Sequence, residues 1–132
     1  MNEVNQFCEA CFNGNLEKAM LLFSKKYCNE RDDDGEPAIV KAARAGRVDV
    51  VRYLIKKRVK IDNTNQYHET ALMLATKYGK IQIVKDLLKA GANTKLSNSF
   101  GETALTFAKQ YSYNTEIPAL ITNHKKKRFI FF

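Results

Sequence analysis

The sequence predicts an all-α solenoid of helix-turn-helix repeats joined by short hairpin loops, and three observations carry that expectation. First, three octapeptides recur 33 residues apart: Gly35-Glu36-Pro37-Ala38-Ile39-Val40-Lys41-Ala42, His68-Glu69-Thr70-Ala71-Leu72-Met73-Leu74-Ala75 and Gly101-Glu102-Thr103-Ala104-Leu105-Thr106-Phe107-Ala108. A fixed period of this length marks a stacked array whose units bury their apolar faces only against neighbours. Second, each octapeptide leads through Gly46, Gly79 or Ser112 into an apolar set at helical spacing. Third, the positions that start and stop helices repeat in the same register.

Four units follow, near residues 3–31, 32–64, 65–97 and 98–123. The first is degenerate: Ala10 and Gly14 lie 32 residues before Ala42 and Gly46, and Leu16, Leu22 and Phe23 fall where Val48, Leu54 and Ile55 do. In the second, Pro37 suits a first helical position, where its missing N–H costs nothing. In the third, Thr70 stands at an N-cap, where a hydroxyl satisfies a free backbone N–H, and Ile81, Val84, Leu87 and Leu88 form a helical stripe expected to be buried. The fourth repeats the cap at Thr103, but Ser112 replaces the second glycine. Pro118 sits inside its last helix, tolerable in the first turn if Asn114 or Thr115 caps it. Ala42, Ala75 and Ala108 are small at mid-helix, allowing close approach of neighbours, while Gly46, Gly79 and Gly91 supply left-handed helix ends.

The motif resembles the ankyrin repeat, whose pattern runs G-x-T-P-L-H-x-A-A-x-x-G, then a V-x-x-L-L helix and a Gly-Ala ending. Residues 65–96 match it best, closing with Leu87-Leu88-Lys89-Ala90-Gly91-Ala92-Asn93, and the resemblance extends over nearly the whole chain. It implies a non-catalytic module that binds a partner protein in a concave groove lined by the hairpin tips and first helices, with the second helices forming the convex back.

Enzyme chemistry finds little support. Cys8-x-x-Cys11 is the one catalytic-looking spacing; a structural zinc needs four ligands, and neither His68 nor His124 falls near in the repeat frame. The cysteines read as small buried residues of the first helix. His68 takes the glycine place of its turn, so it reads as a residue tolerating positive φ. Glu36, Glu69 and Glu102 are set by the repeat roughly 10 Å apart, too far for paired-carboxylate catalysis. No phosphate loop or nucleophile elbow occurs. No cofactor and no metal are expected.

Composition fits one cooperative domain of 132 residues, expected to be a monomer. No apolar run approaches the ~20 residues that span a bilayer, and the first residues lack a secretory pattern. With three cysteines, an odd number, and no glycosylation sequon, an intracellular, reducing setting is expected, cytoplasmic with the nucleus as an alternative. Abundant Lys, Asn and Ile suit an AT-rich genome; a bacterial source would make secretion into a host cell compatible with the sequence without establishing it.

Net charge is +8, unevenly spread: residues 1–36 hold four basic and eight acidic side chains, and the remainder eighteen and six. The acid concentrates at Asp32, Asp33, Asp34 and Glu36 in the first hairpin. Basic residues gather on second helices and the loops after them: Arg52, Lys56, Lys57, Arg58 and Lys60, then Lys80, Lys85 and Lys89. A basic stripe suffices for phosphate contacts, so an electrostatic adaptor for nucleic acid or an anionic membrane, using the back and C-terminal tail, is the alternative function. With no nucleic-acid recognition motif present, nucleic acid is the disfavoured partner.

The implied groove carries the distinctive residues. The tip residues before each glycine place are Asp34, Tyr67 and Phe100; those before each helix-ending glycine are Ala45, Tyr78 and Tyr111. Aromatics bury large areas at low entropy cost and are enriched at interface hot spots. Covering of helix ends is the plain alternative for Tyr78 and Tyr111. The expected partner-binding set is Asp33, Asp34, Glu36, Arg44, Gln66, Tyr67, Glu69, Lys77, Tyr78, Ser99, Phe100, Glu102 and Tyr111. The partner expected is a protein with an apolar segment and a basic group. Residues 124–132, Lys125-Lys126-Lys127-Arg128-Phe129-Ile130-Phe131-Phe132 after His124, form a basic-aromatic tail that reads as a cap on the last repeat, with an address signal or membrane-surface contact as alternatives.

Overall fold

A computed structural model describes residues 2–111 and 115–124. Eight helices occur among them: α1 (Glu3–Asn13), α2 (Leu16–Leu22), α3 (Ala38–Arg44), α4 (Val48–Lys56), α5 (Ala71–Lys77), α6 (Ile81–Lys89), α7 (Ala104–Gln110) and α8 (Glu116–Asn123). The odd-numbered helices pack side by side as one layer, α1 on α3 on α5 on α7, and the even-numbered helices form the second. The short turns within the pairs fold each second helix back on its first as an antiparallel hairpin.

Local chemistry sets the helix boundaries. The hydroxyls of Thr70 and Thr103 accept the backbone N–H groups of Met73 and Thr106, and the third-position side chain reciprocates in each case. Gly14, Gly46, Gly79 and Gly91 end helices with φ between 68° and 92°. Pro37 stands one residue earlier than expected: it is the N-cap of α3, extended at φ −76° and ψ 158°, and it makes no side-chain cap. Its ring fixes φ in the range this position needs, and the helix begins at Ala38. Thr115 precedes α8 without a capping bond. Asn114 and Ser112, also considered at that junction, lie outside the described residues. Pro118 occupies the first turn of α8, where a missing N–H is tolerated.

Two positive-φ residues are not glycine. His68 (φ 60°) takes the place of Gly35 and Gly101 in its hairpin, as its position in the repeat predicts. Arg58 (φ 59°) takes the place that Gly91 fills one repeat later. A side chain in this region costs about 1–2 kcal/mol relative to glycine.

Ala42, Ala75 and Ala108 are buried where odd-numbered helices cross, and Phe7, Leu54, Leu72, Met73, Ile83 and Leu87 fill the space between layers. The expected stripe on α6 is buried at Val84, Leu87 and Leu88, while Ile81 is partly covered. Ile83 is fully buried as well, because α6 packs both on α5 and on its even-numbered neighbours. Phe7, Phe23, Tyr27 and Tyr53 meet edge-on, with ring centroids 5.9–6.3 Å apart, and close the α1–α2–α4 junction.

Candidate protein-binding surface

The hairpin tips are built on one residue repeated at 33-residue spacing: Asp32, Asn65 and Asn98. Asn65 Oδ1 accepts the backbone N–H groups of Tyr67 and Glu69 at 3.0 and 2.9 Å, and Asn98 Oδ1 those of Phe100 and Glu102 at 2.9 Å. Their amide groups donate to the carboxylates of Glu69 and Glu102 at 3.0 and 3.1 Å. Asp32 Oδ1 holds the first tip the same way, accepting from Asp34 and Glu36 at 3.0 and 3.1 Å.

A carboxylate cannot donate, so the first unit differs. Lys41 Nζ lies 2.6 Å from Asp32 and 2.7 Å from Asp34, and Glu36 turns instead to Arg44 at 2.5 Å. Lys41 stands where the later repeats place Leu74 and Phe107. The two departures from the repeat, acid for amide and lysine for an apolar residue, neutralise each other. Burial alone would lower the Lys41 pKa, but the hydrogen bonds and charges of Asp32 and Asp34 outweigh it and hold it above its ordinary value. The hydrogen bond from Lys41, reinforced by its charge, holds the Asp34 carboxyl below the usual range.

Neighbouring tips are tied together. The Gln66 amide donates to Asp34 O at 3.1 Å, and the Ser99 N–H donates to Tyr67 O at 3.0 Å. On the tips, Tyr67 is 52 % exposed and Phe100 77 %; Tyr78, the C-cap at the other end of α5, is 47 % exposed. Lys77 Nζ lies 5.6 Å from the Tyr78 ring centroid and 5.5 Å from that of Tyr111, within cation–π range of both. Tyr111 is half-buried, its ring 6.0 Å from Phe107.

The thirteen residues expected at the surface therefore separate by environment. Asp33, Asp34, Gln66, Tyr67, Tyr78, Ser99 and Phe100 are exposed; Glu36, Arg44, Glu69, Lys77, Glu102 and Tyr111 are half-buried. Glu36, Arg44, Glu69 and Glu102 are also committed to the internal bonds above. Asp33 exchanges hydrogen bonds with Asn5, its N–H donating at 2.9 Å and its carboxylate accepting at 2.6 Å. Asn5, Glu9, Phe12, Asp32, Asp33, Asp34 and Lys41 line a cleft of about 260 Å³ beside the first tip. The Arg44 guanidinium covers the Phe12 ring at 5.2 Å. Sequence reasoning missed Asn5, Phe12, Asn65 and Asn98, and it read Asp32 only as part of an acidic cluster, not as the first of the organising triplet Asp32, Asn65 and Asn98. The paired exceptions at 32 and 41 were the signal that would have exposed the triplet.

Cys8 and Cys11 are buried, and desolvation, first among the causes, pushes both thiols up to about 12. A thiol that holds its proton is a poor nucleophile and a poor metal ligand. No group of three or more metal-ligating side chains is assembled among the described residues.

Two layers of helices with tied hairpin tips at a constant interval define a helix-turn-helix repeat solenoid. The chain belongs to the ankyrin repeat family: the family model for ankyrin repeats, three copies, matches residues 7–98. No curated protein matches the chain. Ankyrin repeats are generally protein–protein interaction modules, and the family is typically non-enzymatic. The match stops short of α7 and α8, which continue the same packing beyond it. No helix among the described residues is long and apolar enough to cross a membrane.

Proposed function

We propose that the chain is a non-catalytic adaptor, a single array of the four units 3–31, 32–64, 65–97 and 98–123, that grips a partner protein along its hairpin tips and first helices. The observation that carries this reading is the exposed aromatic pair Tyr67 and Phe100 on a tip framework fixed by its own hydrogen bonds, with Tyr78 exposed at the other end of α5. Large apolar rings held in place without core contacts give a partner area to bury at little entropic cost. They take an apolar segment. At the first tip, Asp33 and Asp34 keep their carboxylates exposed to receive a basic group even though Asn5 bonds the first and Lys41 pairs with the second, whereas the side chains of Asp32 and Glu36 are buried in their pairs with Lys41 and Arg44. The module acts as a monomer in an intracellular compartment.

Affinity capture from the native cell tests this by comparing wild type with Tyr67→Ala/Phe100→Ala and with a back-face set, Lys56→Ala/Lys57→Ala/Lys85→Ala/Lys89→Ala. The aromatic pair abolishes recovery of the principal partner while the back-face set retains it. The opposite pattern overturns the reading.

A further inference from the structure

The hairpin tips select the shape of a partner as well as its chemistry. We infer that the segment they take is an α-helix carrying one basic and two apolar residues on one face, spaced by sevens; this deepens the protein-binding reading and rests on it. The tips present one repeat position three times, at Asp34, Tyr67 and Phe100. Both rings are exposed, and the Asp34 side chain is 74 % exposed although Lys41 pairs with it. A partner laid along the tips meets acid, ring and ring in that order.

The tips have almost no backbone to offer. Of the fifteen N–H groups in residues 32–36, 65–69 and 98–102, all but that of Gln66 donate to acceptors among the described residues. The carbonyls between neighbouring tips are used as well, Asp34 O accepting from Gln66 and Tyr67 O from Ser99. A segment bound by strand addition takes its affinity from free main-chain donors and acceptors on its host. A polyproline-type segment has no internal hydrogen bonds, so pressing it against the rings strips water from its carbonyls with no donors to replace it. A helix arrives with its own backbone satisfied and needs only side chains from the surface it meets.

Spacing points the same way. The first helices that carry the tips pack side by side, so successive tips stand about 8–10 Å apart, the interaxial distance of packed helices. Seven residues advance an α-helix about 10.5 Å and return it to within about 20° of the same face. Crossing the row at a shallow angle, such a helix sets a lysine or arginine against Asp33 and Asp34. Apolar side chains seven and fourteen residues away then meet Tyr67 and Phe100, in either chain direction. Three residues of a β-strand cover the same step, but the third side chain points to the opposite face.

Selection from two displayed peptide libraries against the full chain tests the inference. One library is randomised along one face of an alanine-based helix; the other is linear and rich in proline and glycine. Enriched clones are synthesised, and their Kd is measured by fluorescence anisotropy with wild type and with Tyr67→Ala/Phe100→Ala. Helical clones carry a basic residue with apolar residues seven and fourteen positions away, and bind at least about tenfold more tightly than the best linear clones. They lose at least about tenfold on the aromatic-pair variant, whose exposed positions leave the melting temperature unchanged. Replacing the clone's basic residue by glutamine weakens it severalfold at low salt and less at high salt. The helix is overturned, with the tip surface intact, if linear clones that need Tyr67 and Phe100 bind as tightly as helical ones. It is overturned too if the helical library yields no binder or its clones show another spacing. Clones of both libraries that bind the aromatic-pair variant as well as wild type overturn the protein-binding reading itself.

Discussion

Replacing Lys41 by leucine should unfold the first tip from within, and a second substitution should repair it. The Lys41 side chain is 10 % exposed and that of Asp32 4 %, with the ammonium 2.6 Å from the carboxylate. Lys41→Leu leaves the Asp32 charge buried with two backbone N–H donors on one oxygen and nothing on the other. Removing one partner of a buried pair costs about 3–5 kcal/mol. We take the lower end, about 3, because those backbone donors remain. Asp32→Asn alone costs less, about 1–2 kcal/mol, since asparagine keeps the turn acceptor and Lys41 keeps Asp34 at 2.7 Å. In the double variant, Asp32→Asn/Lys41→Leu, the introduced amide takes the role of Asn65 and is free to donate to Glu36, while the introduced leucine takes the place of Leu74. That variant should lie within about 1 kcal/mol of wild type, with a coupling energy of at least about 2 kcal/mol. Urea unfolding followed by circular dichroism measures all four corners; at a slope of ~2 kcal/mol per M, Lys41→Leu moves the midpoint by about 1.5 M. Additive single effects, or a neutral Lys41→Leu, would refute the reasoning that the two exceptions compensate each other.

Alkaline pH should destabilise the fold. Cys8 and Cys11 have pKa values near 12 when folded against an ordinary 9.0, so between pH 9 and 12 the folded protein keeps protons that the unfolded chain releases. Stability is therefore complete below pH 9 and falls above it, by up to roughly 1.4 kcal/mol per pH unit for each thiol. The raised Lys41 pKa acts in the same sense above 10.5. Urea midpoints from pH 8 to 11 should show this slope, and Cys8→Ala/Cys11→Ala should flatten it. His68→Gly should raise stability by about 1 kcal/mol, because it relieves a positive φ at a tip whose backbone bonds do not involve the imidazole. A lower melting temperature would show that the ring makes a compensating contact.

The repeat register made the architecture legible, since every helix start and stop falls on a position with its own chemistry. Thr70, Thr103, Gly46, Gly79 and Gly91 each act as their residue type predicts. Pro37 was displaced by one residue because a fixed φ fits an N-cap as well as a first turn. The surface was legible only where exposure follows from position: tip aromatics such as Tyr67 and Phe100 have no core to enter. Glu36, Arg44, Glu69 and Glu102 looked equally available in sequence, but their bonds depend on which neighbour fills each turn. Charge density likewise hid which cations are paired, because pairing spans repeats, as Arg52 and Asp86 do.

Site-specific photo-cross-linking in the native cell tests the central claim most directly. A benzophenone amino acid replaces Tyr67, Phe100 or, as the back-face control, Lys85, each in the full chain. The account predicts that positions 67 and 100 capture the same protein, and that reversing Asp33 and Asp34 to lysine weakens the cross-link at 100 most at low salt and low concentration, as expected for charges that mainly govern association rate. Position 85 captures nothing in common with them. Cross-links to one protein from position 85 with none from 67 or 100 would contradict the account.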